Sequence, residues 1–400
     1  MKKLQTPYFL IDESLIEKNC KILEHVRHAT GCKILLAQKA YSCYDTYPLI
    51  TKYLDGTTAS GLFEAKLGKQ YFGGETHIFA PAFTKEDMAE IVKICDHIVF
   101  NSIAQLKEHY EICKTNGLQI GLRVNPEHST QDGGIYDPCA SYSRFGVTAS
   151  EFEKFATEVV PMLDGLHFHT LCEQGFEPLA ETIAVFEKNF GKHLLSIQAK
   201  KEKEANTGSR GHPSWVNFGG GHHIVRADYN VDGLIKQIND FKSRYRVQVY
   251  LEPGEAVVLN SGTMTATVLD IVENGKKIAI VDKSAACHNP DILETQHRYT
   301  PEIIGATNVT KAKGAVQQGH EYRLAGNTCL SGDVIGDYIF PQPLQIGDIV
   351  TFTNMALYTI VKTNMFNGIN LPSIYVKRLN GDIELIREFG YNDYKIRLGR

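Results

Sequence analysis

The chain has 400 residues, of which 43% are hydrophobic and 22% are charged, and its formal net charge is −4 at pH 7. This weakly acidic balance gives no electrostatic reason for binding nucleic acid or anionic lipid. The sequence also lacks an apolar run long enough for a membrane span, and its nine cysteines form no C-x-x-C pair, so it favours small-molecule chemistry in the reducing cytoplasm.

Short β-rich runs alternate with amphipathic helical stretches from residue 14 to residue 254. This alternation is typical of βα units that build a parallel sheet. Eight such strands predict an α/β fold, a TIM-like (β/α)8 barrel over residues 13–254. The predicted strands are KILLAQ, GTTAS, THIFA, HIVFN, IGLRVN, LDGLHFH, SWVNFGG and VQVYLEP. The predicted helices cover residues 14–30, 85–95, 103–117, 149–160 and 179–199.

The residue composition and the hydrophobic pattern of the sequence change after residue 255. Segments such as TMTATVLDIVENGKKIAIVD and GDIVTFTNM are rich in β-branched residues and show little helical periodicity. They predict a C-terminal β-domain, sandwich-like or barrel-like, over residues 255–400, which the N-terminal strand 1–12 would join. The charged segment KKEKEANTGSRGHPS (200–214) predicts a solvated connection within the barrel.

Chemically useful residues stand at the predicted carboxyl ends of the barrel strands, where barrel enzymes place their active sites. They are Lys39, His169, the run Gly219-Gly220-Gly221, and Glu252. Each alone has an ordinary explanation, as a surface lysine, a rim histidine, a turn or a turn-opening acid. Together they provide an amine, a flat ring, a phosphate cradle and an acid for a pyridinium nitrogen. Those are the groups that pyridoxal 5'-phosphate requires.

Motifs spread over nearly the whole chain carry a family resemblance. The sequence resembles the fold type III (alanine racemase-like) pyridoxal-phosphate decarboxylases, which act on ornithine, diaminopimelate and carboxynorspermidine. EPGE in place of EPGR, together with GNTCLSGDVIGDY and DKSAACHNPD, is closest to the carboxynorspermidine/carboxyspermidine branch. The other matching stretches are TPYFLIDESLIEKN, LLAQKAYS, TASGLFEAKLG, NSIAQL, LRVNP, SRFGV, GLHFHTLCEQ, NFGGGHH, LEPGEAVV and ALYTIVKTNMFNG.

The resemblance implies a role for each matched residue around pyridoxal phosphate. Lys39 would bind the cofactor aldehyde as an imine, His169 would stack on the ring, and Glu252 would pair with the ring nitrogen. Gly219, Gly220, Gly221, Gly254 and Tyr358 would hold the phosphate, and Arg144 would orient the site. Cys329 would reach the site of a neighbouring subunit and protonate the carbanion, which implies a homodimer with shared active sites.

One departure from the family concerns the substrate. Glu255 stands where the ornithine and diaminopimelate enzymes carry an arginine that helps to hold phosphate. A carboxylated triamine has two cationic amines that carboxylates would bind, so we expect Glu255, Asp291 and Asp333 to contact the substrate. Asp291 could equally cap a helix in HNPDILE, and Asp282 is better explained as structural.

Several functions compete with carboxynorspermidine or carboxyspermidine decarboxylation. Diaminopimelate or ornithine decarboxylation on the same scaffold is the main alternative, although Glu255 argues against both. Amino-acid racemisation would need a second base opposite the lysine. A pyridoxal-phosphate carrier without catalytic activity would lack the β-domain. The residues suggest no metal site.

Overall fold

A computed structural model describes residues 4–131, 135–206, 212–295, 299–309 and 318–400. The chain divides into two compact units. One unit is Glu17–Val257, and in the other the residues up to Ile16 join Val258–Arg400. The predicted division after residue 254 lies just before the observed one.

The Glu17–Val257 unit is a closed barrel of eight parallel strands, which confirms the predicted fold class. The last strand returns to the first in parallel, with Lys33 opposite Tyr250. After β1 (Tyr8–Asp12) of the other unit, the barrel strands are β2 (Lys33–Ala37), β3 (Gly56–Ala59), β4 (Glu75–Phe79), β5 (His97–Phe100), β6 (Gln119–Arg123), β7 (Gly165–His167), β8 (Trp215–Asn217) and β9 (Gln248–Leu251).

Helices follow the strands in the order expected of βα units. Several begin with a polar cap; Thr84, Ser102 and Thr148 each accept a hydrogen bond from the backbone N–H three residues later. The helices are α1 (Glu13–Thr30), α2 (Tyr47–Ile50), α3 (Leu62–Tyr71), α4 (Lys85–Ile94), α5 (Ile103–Thr115), α6 (Ala149–Val159), α7 (Phe176–Asn206), α8 (Val231–Tyr245) and α9 (Glu255–Val258). No described helix has both the length and the apolar character needed to cross a membrane.

The predicted connection 200–214 is partly wrong, because α7 continues to Asn206. The lysines that suggested a solvated segment are used by the fold. Lys200 Nζ donates to the carbonyl oxygen of Leu163 at 2.6 Å, and Lys201 Nζ lies 2.7 Å from Asp164 Oδ1. These contacts tie the end of α7 to the turn before β7. Residues 207–211 of the predicted connection lie outside the described residues.

The single tryptophan fills the barrel interior. Trp215 on β8 is buried and packs with Leu35, Val99 and Tyr250. Strands β6 and β7 carry glycine where the indole lies: a Cβ on Gly121 would be 2.2 Å, and one on Gly165 2.1 Å, from indole carbon atoms. The two glycines therefore make room for the ring.

We expect Gly165→Ala to lower the free energy of unfolding by about 1–3 kcal/mol, because the added methyl group must displace a buried ring. Urea denaturation followed by the fluorescence of Trp215 measures this. The control is Gly61→Ala, since Gly61 has an extended backbone and no atom within 4 Å of the added Cβ. Equal stability of the two variants would contradict this account of the barrel interior.

The other unit is built on a sheet of nine strands. β1 lies inside it, antiparallel to β10 and parallel to β16. The strand order is β12-β14-β13-β11-β10-β1-β16-β17, and β15 pairs with β10. The further strands are β10 (Gly262–Glu273), β11 (Lys277–Val281), β12 (Thr307–Asn308), β13 (His320–Ala325), β14 (Val334–Phe340), β15 (Ile349–Phe352), β16 (Ser373–Lys377) and β17 (Ile383–Arg387).

Three short helices belong to this unit; a helix was considered only for the segment HNPDILE, which holds the second of them, and the other two were not predicted. All three are too short to show a helical period, and no residue of the last one is buried. They are α10 (Ala285–His288), α11 (Asp291–Glu294) and α12 (Tyr391–Leu398).

Candidate active site

Lys39 lies in a tight turn directly after β2. The turn is held at both sides, because Gln38 N–H donates to Thr58 O and Ala37 N–H donates to Pro253 O. Burial lowers the pKa of Lys39, and the charge of Arg123 lowers it further, against the opposing effect of nearby carboxylates. A lowered pKa makes the amine a better nucleophile at neutral pH.

Arg123, at the end of β6, is a site residue that the sequence reasoning missed. Its guanidinium is buried between the rings of Phe79 and Phe145, 4.7 and 4.5 Å from their centroids, and it donates to His169 O at 2.9 Å. Burial lowers its pKa to about 10. Arg144, the predicted basic residue, is instead exposed on the loop beyond β6. The signal for Arg123 was its place at a strand end in LRVNP.

Glu252 follows β9 and is held by two partners. Its Oε1 accepts from Asn217 Nδ2 at 2.7 Å, and its Oε2 lies 3.3 Å from His167 Nε2. Burial by itself would raise the pKa of Glu252, but the interactions with His167 and Asn217 outweigh burial and lower it. Glu252 is therefore a carboxylate at neutral pH and can accept a hydrogen bond from a protonated ring nitrogen.

His169 is oriented by the glycine turn. Its Nδ1 accepts the backbone N–H of Gly220 at 3.0 Å, so the ring proton of a neutral imidazole lies on Nε2. Burial holds the pKa of His169 well below its usual value, and the charge of Lys39 adds to this. The turn thus presents a neutral flat ring, as stacking on a cofactor requires.

The glycine run allows a close backbone approach that no side chain permits. Gly219 and Gly221 have positive φ values of 70° and 83°. A Cβ on Gly220 would be 2.1 Å from Glu252 O, and one on Gly221 would be 1.9 Å from Leu171 O. Gly254 similarly approaches the Lys39 turn, since its Cβ would lie 2.6 Å from Ala40 Cβ. These close approaches explain why the four positions carry glycine.

Two of the glycine amides are already used within the site. Gly219 N–H donates to Asn217 Oδ1 at 2.8 Å, and Gly220 N–H donates to His169. The prediction that the three glycines hold a phosphate stays a prediction. Gly221 is the member of the run whose amide donates to no other group among the residues that the structure describes.

Glu255, predicted as a substrate ligand, is buried and bonded to a histidine. Its Oε2 forms a short hydrogen bond with Nε2 of His223, which is also buried. His223 is placed by its own backbone, whose N–H donates to Gln174 O at 3.1 Å. The sequence reasoning did not identify His223. Its position two residues after the glycine run, in GGGHH, could have pointed to it.

Cys329 and Asp333 lie in the β13–β14 connection of the sheet unit. Cys329 is exposed, and its backbone N–H donates to Asn367 Oδ1 at 2.8 Å. Asp333 is buried and accepts from Thr328 Oγ1 at 2.6 Å, Ser284 Oγ at 2.9 Å and Ala285 N–H at 2.7 Å. These donors engage both of its carboxylate oxygens, so Asp333 holds the turn that carries Cys329. Its contact with a substrate amine stays a prediction.

The remaining predicted residues also lie in the sheet unit. Asp291 is the first residue of α11 and pairs with Lys362 Nζ at 2.8 Å, so it is not the helix cap. Asp282 accepts the N–H of Thr267 at 2.7 Å, as expected of a structural residue. Tyr358 lies between β15 and β16 with a φ of 44°. Its contact with a phosphate stays a prediction.

One group of side chains among the described residues has the composition of a metal site, and it lies at the opposite end of the barrel. Glu75, His77 and His97 stand where β4 and β5 begin. However, Glu75 is engaged by Lys33, by His77 at 3.0 Å and by Tyr250 at 3.1 Å. The two imidazoles stack in nearly parallel planes, with their ring centroids 3.8 Å apart. Because nitrogen lone pairs lie in the ring planes, they do not point at a common metal position. The arrangement is that of a hydrogen-bonded network.

This network predicts a pH-dependent contribution to stability. Burial would raise the pKa of Glu75, but hydrogen bonds from His77 and Lys33 lower it to about 2. A depressed pKa means that the carboxylate stabilises the fold above its ordinary pKa of 4.5 and that this contribution is lost as pH falls toward 2.

We therefore expect Glu75→Gln to lower the free energy of unfolding by about 1–2 kcal/mol at pH 7, after allowance for partial exposure, and by less at pH 3.5. Urea denaturation at both pH values measures the difference. Glu90→Gln, which breaks an exposed pair with Lys66, serves as the control and should cost less than about 0.5 kcal/mol. A Glu75 effect that grows at low pH would contradict the stated sign.

The chain matches known proteins over its full length. Residues 19–356 match the family described as pyridoxal-dependent decarboxylase, C-terminal sheet domain. A carboxynorspermidine/carboxyspermidine decarboxylase of Campylobacter jejuni is 40% identical over 99% of both chains. A carboxyaminopropylagmatine decarboxylase of Synechocystis is 36% identical over 100% of this chain and 97% of its own.

A solved structure is similar to the same extent. The crystal structure of carboxynorspermidine decarboxylase from Campylobacter jejuni, complexed with norspermidine, superposes with a TM-score of 0.86 at 38% identity, covering 98% of this chain and all of that one. The family match, the identities and the fold agree. The chain belongs to the pyridoxal-dependent decarboxylases.

Proposed function

We propose that this enzyme uses pyridoxal 5'-phosphate to remove the α-carboxylate of carboxynorspermidine or carboxyspermidine, giving norspermidine or spermidine. The proposed substrate is based on the 40% identity with the Campylobacter jejuni enzyme over 99% of both chains. The barrel end supports the reaction class, because an amine of lowered pKa, a carboxylate and a neutral ring lie on one rim.

The residues of the barrel divide the work of holding the cofactor. Lys39 would hold its aldehyde, Glu252 would keep its ring nitrogen protonated, and His169 would stack on its ring. When bound, pyridoxal phosphate supplies the electron sink that accepts the electrons of the breaking C–C bond as CO₂ leaves. The buried Arg123 keeps a positive charge beside Lys39 and thereby favours its neutral, nucleophilic form.

The proton that replaces CO₂ would come from Cys329. Its exposure and its place in a turn held by Asp333 fit a thiol that is presented to a second copy of the chain. We therefore propose a homodimer in which each copy completes the other's site.

Mixing two inactive variants tests the shared site. Lys39→Ala and Cys329→Ala homodimers should each be nearly inactive, whereas a mixed dimer has one site with both native residues. Activity should therefore reappear when the two variants are unfolded and refolded together. No recovery, with mixed dimers demonstrated by mass spectrometry, would contradict the shared site.

A second substrate is favoured by a specific observation. The Synechocystis relative, at 36% identity, acts on carboxyaminopropylagmatine, which ends in a guanidinium group where the triamines end in an amine. Both ends are cationic, so acidic residues could bind either. Diaminopimelate and ornithine remain the alternatives that the sequence raised.

A substrate comparison decides between these functions. Release of CO₂ by the purified holoenzyme should be fastest, in kcat/KM, with carboxynorspermidine or carboxyspermidine. These two differ by one methylene group, so discrimination between them should be at most about 10–200-fold. A higher kcat/KM with carboxyaminopropylagmatine, diaminopimelate or ornithine would overturn the proposal.

A further inference from the structure

The family resemblance assigns a phosphate-binding arginine to the position of residue 255, and this chain has a glutamate there. An isolated carboxylate there would repel an anion. Two of the three glycine amides donate to Asn217 and His169. A phosphate at this turn therefore has fewer amide donors than the glycine run alone suggests.

His223 has the position and the partners for that role. It lies two residues after Gly221, and the bridge between Gln174 and His222 fixes the backbone beside it. Its Nε2 is bonded to Glu255, and Nδ1 has no hydrogen-bond partner among the residues that the structure describes. The side chain is more than nine-tenths buried. The bond to Glu255 fixes the orientation of the imidazole and leaves Nδ1 as the ring nitrogen that can contact a ligand.

The adjacent histidine shows the contrast. His222 is also buried, but its Nδ1 is bonded to the hydroxyl of Tyr229 at 2.7 Å. Its partner is a neutral hydroxyl, and burial lowers its pKa to about 3. Of the two neighbouring histidines, His223 is the one that is bonded to a carboxylate.

We propose that His223, with Glu255 as its counter-charge, contacts the phosphate group of the cofactor in place of the family's arginine. This inference rests on the proposed use of pyridoxal phosphate. It assigns Glu255 to the cofactor, through His223, and replaces its predicted contact with a substrate amine. Nδ1–H would donate to a phosphate oxygen while Glu255 Oε2 holds Nε2, so that the ring presents one oriented N–H donor to the phosphate.

The test compares the affinities of the apoenzyme for pyridoxal phosphate and for pyridoxal, which lacks the phosphate. Quenching of Trp215 fluorescence and absorbance near 420 nm report binding without any assay of activity. In His223→Gln, the affinity for pyridoxal phosphate should fall by about tenfold to a hundredfold, the range expected for a charge-assisted hydrogen bond, whereas the affinity for pyridoxal should change less than twofold. His222→Gln is the matched control and should not change the ratio of the two affinities.

Two further variants make the result decisive. Glu255→Gln should also lower the affinity for pyridoxal phosphate relative to that for pyridoxal, because it removes the counter-charge of His223. This variant tests the proposal if His223→Gln fails to fold. Adding Glu255→Arg to His223→Gln should restore the ratio. If His223→Gln bound both ligands equally more weakly, or bound neither more weakly, the proposed role of His223 would be wrong. If the unaltered protein bound no pyridoxal phosphate at all, the proposed function itself would fail, so the two failures are distinguishable.

Discussion

Replacing Lys39 by alanine should lower the rate of decarboxylation at least about a thousandfold, because this amine is the only group proposed to hold the cofactor aldehyde and to release product. The purified variant should also lose the absorbance near 420 nm that a lysine imine gives. Borohydride reduction of the unaltered holoenzyme followed by peptide mapping should place the label on Lys39.

The control for this variant is an exposed lysine of the barrel. Lys85→Ala removes an amine whose side chain is 81% exposed, and it should leave rate and colour unchanged. A labelled peptide that lacks Lys39, or full activity of Lys39→Ala, would show that the reading of the β2 turn is wrong.

Replacing Glu252 by glutamine should lower kcat by about a hundredfold to a thousandfold, the range seen when a preorganised electrostatic group is lost. Glutamine keeps the shape and the contact with Asn217, but it cannot keep a ring nitrogen protonated. Pyridoxal phosphate should still bind through Lys39, so the 420 nm band should persist while turnover falls. Steady-state kinetics with the preferred substrate measures the effect.

Glu75→Gln is the matched control for Glu252→Gln. Both carboxylates have depressed pKa values and histidine partners, but Glu75 lies at the opposite end of the barrel. Its substitution should therefore lower stability and leave kcat unchanged. Similar losses of kcat in the two variants would show that the Glu252 effect is a general weakening of the barrel.

The pKa shifts also predict the pH dependence of the reaction. The pKa of Glu252 lies below its usual range, so this carboxylate stays ionised throughout the range in which the protein is assayed. The pH profile of the rate between pH 5.5 and 9 should therefore contain no step that is due to Glu252. Its shape should be the same in Glu252→Gln, although the variant is slower at every pH.

The sequence by itself determined the reaction scaffold. The alternation of β-rich and amphipathic stretches predicted the eight barrel strands, because a parallel sheet requires a crossover after each strand. That topology places the carboxyl end of every strand on one rim, so Lys39, His169 and Glu252 could be grouped without coordinates. Helix α12 could not be found in this way, since no buried face marks it.

Only the tertiary structure decided which partners these residues have. Arg123 and Arg144 both stand in motifs that match the family, and that match offered no reason to prefer Arg123, yet it is the strand-end arginine that is enclosed between two rings. Glu255 and His223 are far apart along the chain, and their hydrogen bond forms because β9 and β8 end side by side. Hydrophobic periodicity shows which side of a helix or strand is buried. Hydrogen bonds and charge pairs depend instead on distances of a few ångströms between side chains of different elements, and the sequence does not give those distances.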